Sequence, residues 1–421
     1  MSEFGDELRR LMAEQGMSLR ELGRRSHYDH GYLSRVARGL RQPSPDVAAH
    51  LDNVLGTEGA LAALAHDTAR RDVLKLGLAA SGSEVLDRLL DTAGAEAMEF
   101  TRLAGVSAVG SGVLDHLDAV ISGLDRAYSA ELPAGLFPVA RAYRVRAGEL
   151  AAGPCTLREK RELYVRAAWL SELLAWLAHD LGHAVTAEAY AIDAFEHADQ
   201  AGHGELCAWS ADAMSSIALY TGRPARAAEA AGRGIARAPA GHPLSVRLRA
   251  QAARACARLG QAELCETLLA EARDLHDALP ARSPARPAVE TGMLATYAMT
   301  AYPASCYVWL GDFAKARAYG EHAVAVHESA SPASRSPSRE AIARIDLGIA
   351  LAGLGVPDEA AALGRQALAS PRVVDSVRSR AGDLDTLLMA RYPDHQDTCS
   401  FHEQYRSAAM PQPAITQKGQ V

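Results

Sequence analysis

The chain has 421 residues, 48% apolar and 23% charged, and a formal net charge of −7 at pH 7. That length accommodates two or three domains with cores of their own, and the balance excludes a chain that is disordered or strongly basic as a whole. No apolar run reaches the roughly 18 residues of a membrane-spanning helix, so no membrane partner is expected. Alanine, leucine and arginine dominate, and only four of the 44 cations are lysines (Lys75, Lys160, Lys315 and Lys418); such a composition favours helix throughout. Six cysteines (Cys155, Cys207, Cys256, Cys265, Cys306 and Cys399) form no C-x-x-C pair, and no secretory leader is read ahead of them. They read as buried, reduced thiols of a cytoplasmic protein.

In chain order, EFGDELRRLMAEQ at 3–15 puts Phe4, Leu8, Leu11 and Met12 on one helical stripe, stopped by Gly16. Ser18 and Glu21 then read as a reciprocal capping box for a short helix ending near Arg25. The stretch YDHGYLSRVARGLR, 28–41, reads as a further helix from near Asp29, with Leu33, Val36 and Ala37 inward. Its other face, His30, Gly31, Ser34, Arg35 and Arg38, has no packing duty. Two helices separated by about four residues have helix-turn-helix spacing. From Gly16 to Pro45, six arginines (Arg20, Arg24, Arg25, Arg35, Arg38 and Arg41) face two acids (Glu21 and Asp29), and six minus two leaves a surplus of four. On an acidic chain that is the footprint of phosphate binding. Ser44-Pro45 opens a helix through Leu55, with Val47, Leu51 and Val54 inward and Gly56 as its stop, and Thr57 is expected to cap a fifth helix to about Ala65.

Arg70-Arg71 opens a stretch like a twin-arginine export signal, but it follows a complete small domain and reads as an amphipathic linker helix from Arg70 to Ser81. Helical patterning continues to Ala151, broken at GVSAVGSG and ELPAGLFP. A repeat then emerges. Taking Gly182, Gly222, Gly260, Gly311 and Gly355 as anchors, spaced by 40, 38, 51 and 44 residues, the fifth residue on is Ala187, Ala227, Cys265, Ala316 or Ala360. The twelfth is Ala194, Gly234, Ala272, Ala323 or Ala367. Small residues seven apart after a glycine turn let paired helices approach closely, and stacked pairs make an α-solenoid. The expected layout is a DNA-binding domain at 1–66, linker helices and the start of the body at 67–151, repeats at 152–391 and a disordered tail at 392–421.

ELGRRS leading into YLSRVARG and RQPSPDVAAHLDNVLG, with Leu33-Ser34-Arg35, Gly39 and Pro43-Ser44 as a set, closely resembles the XRE family of helix-turn-helix regulators over residues 3–65. Gly31 departs from the polar side chain frequent there. The resemblance implies a five-helix fold shared with phage repressors, a double-stranded DNA operator and a homodimer on paired half-sites. Arg35 is expected on guanine, His30 on a purine acceptor, and Tyr32 and Ser34 on bases or phosphates. Arg20, Arg38 and Arg41 are expected on phosphates, and Ser18 and Asp29, at the helix starts, complete the DNA-binding set. The bland alternative is a solvated basic face.

The repeat looks like a degenerate tetratricopeptide array. Carried back from the glycines, that family's groove offsets mark Trp169, Glu172, Trp176, His179, Asp180, Trp209, Asp212, Ser216, Tyr220, Arg247, Arg254, Arg258, Ser305 and Trp309, including all four tryptophans. Acids would gather at one end and arginines at the other, suiting a short peptide or polar small molecule; the alternative is tryptophans packed between repeats. His179 and His183 have no third ligand for zinc, and no G-x-S-x-G, P-loop or H-E-x-x-H occurs, so neither a metal, a cofactor nor an enzyme is expected. The layout resembles peptide-responsive regulators of Gram-positive bacteria, in an actinobacterial version. The rival reading is an interaction scaffold or antitoxin-like adaptor with weak DNA binding.

Overall fold

The computed structural model describes residues 3–57, 59–65, 96–99, 105, 107, 109–280, 291–331 and 335–409, and the chain divides into two compact units, Met1–Thr101 and Arg102–Val421. Among the described residues every regular element is helical, and no helix is long and apolar enough to cross a membrane. The linker helix expected from Arg70 to Ser81, with its twin arginines, lies outside the described residues.

The first unit holds α1 (Glu3–Glu14), α2 (Leu19–Ser26), α3 (His30–Ala37), α4 (Pro45–Leu55) and a short α5 at 60–65. Phe4, Leu8, Leu11 and Met12 all fall inside, against Leu22, Leu33 and Val36. Two local expectations change. On α4 the deepest positions are Ala48, Leu51 and Leu55, with Val47 and Val54 at the margin, because a helix starting at Pro45 turns those three toward α1 and α2. Nor does Thr57 cap α5. The buried Asp52 does so from α4, accepting the Leu61 and Ala62 amides at 3.0 and 2.8 Å and the Thr57 hydroxyl at 2.5 Å.

The second unit runs α6 (Ser111–Tyr128), α7 (Pro133–Ala152), α8 (Leu157–Asp180), α9 (Ala184–Gln200), α10 (Gly204–Tyr220), α11 (Pro224–Ile235), α12 (Pro243–Arg258), α13 (Ala262–Asp277), α14 (Thr291–Leu310), α15 (Phe313–Ser329), α16 (Pro337–Gly353), α17 (Pro357–Leu368), α18 (Asp375–Arg391) and α19 (Gln396–Ala409). From α8 onward consecutive helices stack in pairs in a helical-repeat arrangement. All five anchor glycines stand at positive φ, from 70° to 90°, in the turns inside five pairs, where a side chain would be strained. The small residues five and twelve positions on are all buried. A sixth pair, α18 and α19, turns without a glycine. Its second helix falls in the segment expected to be a disordered tail, but Phe401 and Tyr405, one turn apart, give it an apolar edge that packs on the core around α17. Four cysteines are buried as expected, whereas Cys155 is half-buried and Cys399 exposed, and all six are free.

Gly234 shows why the twelfth position must be small: a Cβ there would stand 2.7 Å from Leu248 Cδ2 and 2.9 Å from Ala211 Cβ. Gly234→Ala is therefore expected to destabilise by about 1–3 kcal/mol through overpacking, outweighing the roughly 1 kcal/mol of helix propensity it gains. Gly232→Ala, on the exposed side of the same helix with open space around it, should instead stabilise. Urea midpoints of the two variants shifting in the same direction would contradict this packing.

Candidate functional site

In the first unit, the turn between α2 and α3 is three residues, 27–29, and His27 takes the left-handed conformation at φ 58° that reverses the chain. Ser18 accepts the Glu21 amide at 3.2 Å, and Asp29 accepts the Tyr32 amide at 3.0 Å. Both carry capping bonds that position α2 and α3. The reciprocal half of the Ser18 box gives way to ion pairing: the Glu21 carboxylate takes Arg24 at 2.6 Å and Arg25 at 2.9 Å. Those two cations share one carboxylate, and the exposed Arg20, Arg35 and Arg38 carry no ion pair among the described residues. Arg38 donates through Nε to the Ser34 carbonyl at 3.1 Å, and the Arg41 guanidinium lies 4.9 Å over the Tyr32 ring, which also packs beside Tyr28. His30 is exposed and Ser34 half-exposed on the same helix. Gly31 has a local reason: a Cβ there would stand 2.9 Å from the Asp29 cap oxygen and 3.7 Å from Arg35 Nη1. A side chain at that position would crowd the Asp29 cap while only touching the arginine beside it.

In the second unit the first helix of each pair faces inward. Together with α6, these helices enclose a cavity of about 320 Å³. Glu172, Trp176, His179 and Asp180 reach it from α8, Trp209, Asp212, Ser216 and Tyr220 from α10, Arg247 and Arg254 from α12, and Ser305 from α14. Three residues expected there lie elsewhere. Trp169, two turns before Trp176 on α8, packs between two apolar clusters with its ring edge-on to His203 at 6.4 Å. Trp309, near the end of α14, is covered by the guanidiniums of Arg254, Arg258 and Arg380 at 5.2–5.4 Å. Arg258 itself is exposed.

The carboxylates lining the cavity come from α6, α8 and α10 and its arginines, Arg126 apart, from α12 onward, and the two sets meet in ion pairs. Asp212 accepts Arg247 Nε at 2.8 Å, Arg254 Nη1 donates to Gln251 Oε1 at 2.8 Å, and Gln251 donates to Ser216. Trp176 donates its indole N–H to Glu172 at 2.7 Å, and Trp209 donates to Glu205 at 3.2 Å. Burial pushes the His179 imidazole below its usual range, and its ring lies 5.2 Å from Tyr220, whereas His183 is exposed. Among the described residues, no group of three metal-ligating side chains gathers.

Several lining residues escaped the sequence reading: Tyr128 from α6, Tyr297 and Tyr302 from α14, Arg339 and Ile342 from α16, and Arg372 and Ser376 at the start of α18. Ile342 stands thirteen residues before its glycine, as Trp209 and Arg247 do before theirs, so that offset could have found it. Tyr128 and Arg372 follow no glycine offset. They nonetheless close the cavity: the Asp180 carboxylate accepts the Tyr128 hydroxyl at 2.9 Å and Arg372 Nη2 at 2.7 Å. Arg372 also donates to Ser338 Oγ at 2.9 Å and to the Glu131 carbonyl at 3.1 Å. Burial, with the Asp180 charge beside it, holds the Tyr128 phenol well above its ordinary range.

Residues 3–65 match the family described as helix-turn-helix domain, so the first unit contains such a domain. No curated protein matches the chain. Among solved structures, the crystal structure of BtubC (BKLC) from P. vanneervenii is similar at 15% identity and a TM-score of 0.40, over 63% of this chain and 96% of that one.

Proposed function

We propose that the protein is a DNA-binding transcriptional regulator whose tetratricopeptide-like body senses an effector in its cavity and pairs two chains on an operator. The observation that carries the first part is the helix-turn-helix domain with Arg20, Arg35 and Arg38 exposed and free of ion pairs among the described residues. The sensor part is supported by a cavity of about 320 Å³, lined by Trp176 and Trp209 and by buried polar groups, within the roughly 300–1,000 Å³ of small-molecule sites. Binding at one site and DNA affinity at the other would be coupled reciprocally. A tenfold effect in either direction corresponds to about 1.4 kcal/mol.

Arg35 is the base reader on this view, because a guanidinium donates twice to guanine O6 and N7; Arg20 is a phosphate contact. After selection of a preferred duplex from a randomised pool, Arg35→Ala should cost about 1–3 kcal/mol on that duplex and relax the preference. Arg20→Ala should weaken the preferred and scrambled duplexes alike. Light scattering on the preferred duplex should give two chains per DNA. Equal losses for both variants on both duplexes would remove Arg35 from base reading, and absence of any enriched sequence would overturn the regulator reading itself.

A further inference from the structure

The cavity wall carries more positive charge than it neutralises. Six arginines line it against four carboxylates, a surplus of two. Asp180 is consumed by Arg372 and Tyr128, and one oxygen of Asp212 by Arg247. Arg254, only 4% exposed, spends one N–H on the neutral Gln251 and otherwise lies over the rings of Tyr302 at 4.6 Å, Trp309 at 5.4 Å and Tyr220 at 5.8 Å. Arg339 has no ion pair among the described residues and stands 5.5 Å over Tyr297. Among the described residues, Arg247 Nη1 and Arg254 Nε are buried without an acceptor, and Asp212 Oδ1 is buried without a donor. A buried guanidinium with unused donors is costly unless something anionic completes it. Rings stacked against these cations leave their edges for an oxyanion, which a guanidinium grips through paired N–H groups.

We infer that the cavity takes one small organic anion with a planar apolar body, its acid group on Arg254 and Arg339 and its rings among Trp176, Trp209 and Tyr302. This rests on the reading of the cavity as an effector site and narrows that effector to an acid rather than an extended peptide. About 320 Å³ holds one compact molecule rather than an extended chain.

The test uses the full chain and two matched probes, 1-anilinonaphthalene-8-sulfonate and N-phenyl-1-naphthylamine, which share one ring skeleton and differ by the sulfonate. Calorimetry gives the stoichiometry, and energy transfer from tryptophan reports occupancy beside Trp176 and Trp209. The sulfonate is expected to bind one per chain and at least about tenfold more tightly than the neutral probe, an advantage of about 1.4 kcal/mol. Arg254→Gln should erase most of that advantage. Arg339→Gln, at a half-buried site with no hydrogen bond among the described residues, should reduce it without threatening the fold. Equal binding of the two probes, or an unchanged sulfonate affinity in both variants, would overturn the anion assignment while leaving the cavity and its sensor reading in place. Failure of both probes to bind one-to-one would overturn both.

Discussion

Arg372→Met is expected to destabilise the second unit by about 3–5 kcal/mol, the range for removing one partner of a buried ion pair. Arg372 and Asp180 are 3% and 5% exposed, and their 2.7 Å contact joins residues 192 positions apart, linking the segment that leads into α18 to the end of α8. Without the guanidinium, the Asp180 carboxylate would stay buried with the Tyr128 hydroxyl as its remaining hydrogen-bond partner among the described residues, while Ser338 and the Glu131 carbonyl would each lose a bond. The charge left behind dominates the cost, so the companion change should relieve it. Asp180→Asn combined with Arg372→Met should recover a substantial part of the loss, because no charge then remains in the dry contact. Urea denaturation of the two single variants and the double variant gives the cycle directly. A loss below about 1 kcal/mol for Arg372→Met would place the pair among solvated ion pairs and remove the closure from the account of the cavity.

The second large effect is acid lability centred on His327. This side chain is 2% exposed, neither ring nitrogen has a hydrogen-bond partner among the described residues, and Tyr297 packs edge-on at 5.5 Å. Burial, reinforced by the nearby Arg339 cation, pushes its pKa from 6.5 down to about 4. A histidine depressed in the folded state takes up its proton more readily when unfolded. Its contribution is therefore fully present above pH 6.5 and is lost progressively as the pH falls toward 4, with no further change below that. A gap of about 2.5 units corresponds to roughly 3 kcal/mol, with a slope near 1.4 kcal/mol per unit between the two values. His327→Leu removes the titration and satisfies an apolar site, so it should equal or exceed the parent at pH 7.5 and show a flatter acid limb. The diagnostic is the difference between the two proteins' stability curves from pH 6.5 to 4.5, because titrations elsewhere are common to both. Parallel limbs would show that His327 takes up its proton without cost in the folded protein.

The legible part of this protein is the part written in short-range terms. Ser18 and Asp29 cap α2 and α3 because their side chains reach an amide three residues on, and Leu33 and Val36 turn inward because the helix period places them there. The anchor glycines and their small partners report backbone conformation and close approach within a single pair. Counting back from those glycines found Trp176, Ser216, Arg254 and Ser305, all six residues before their anchors, because each helix of a stack repeats the same local geometry. The tail was misread by composition: Phe401 and Tyr405 are only two rings, but they have an apolar surface to meet.

What no local pattern carries is how the small rotations between successive pairs accumulate. That sum decides that Trp169 ends among apolar neighbours while Trp176, on the same helix, meets the cavity. It brings α6 and the segment leading into α18 to one carboxylate, so that Tyr128 and Arg372 line a space to which neither contributes a recognisable motif. Sequence alone determined the caps of α2, α3 and α4, the five glycine-turned pairs and the basic face of α3, because each depends on residues within a few turns of one another. Only the tertiary structure decided which cations keep unused donors and where the stack encloses a volume, because burial and charge pairing there depend on side chains brought together across nearly two hundred residues.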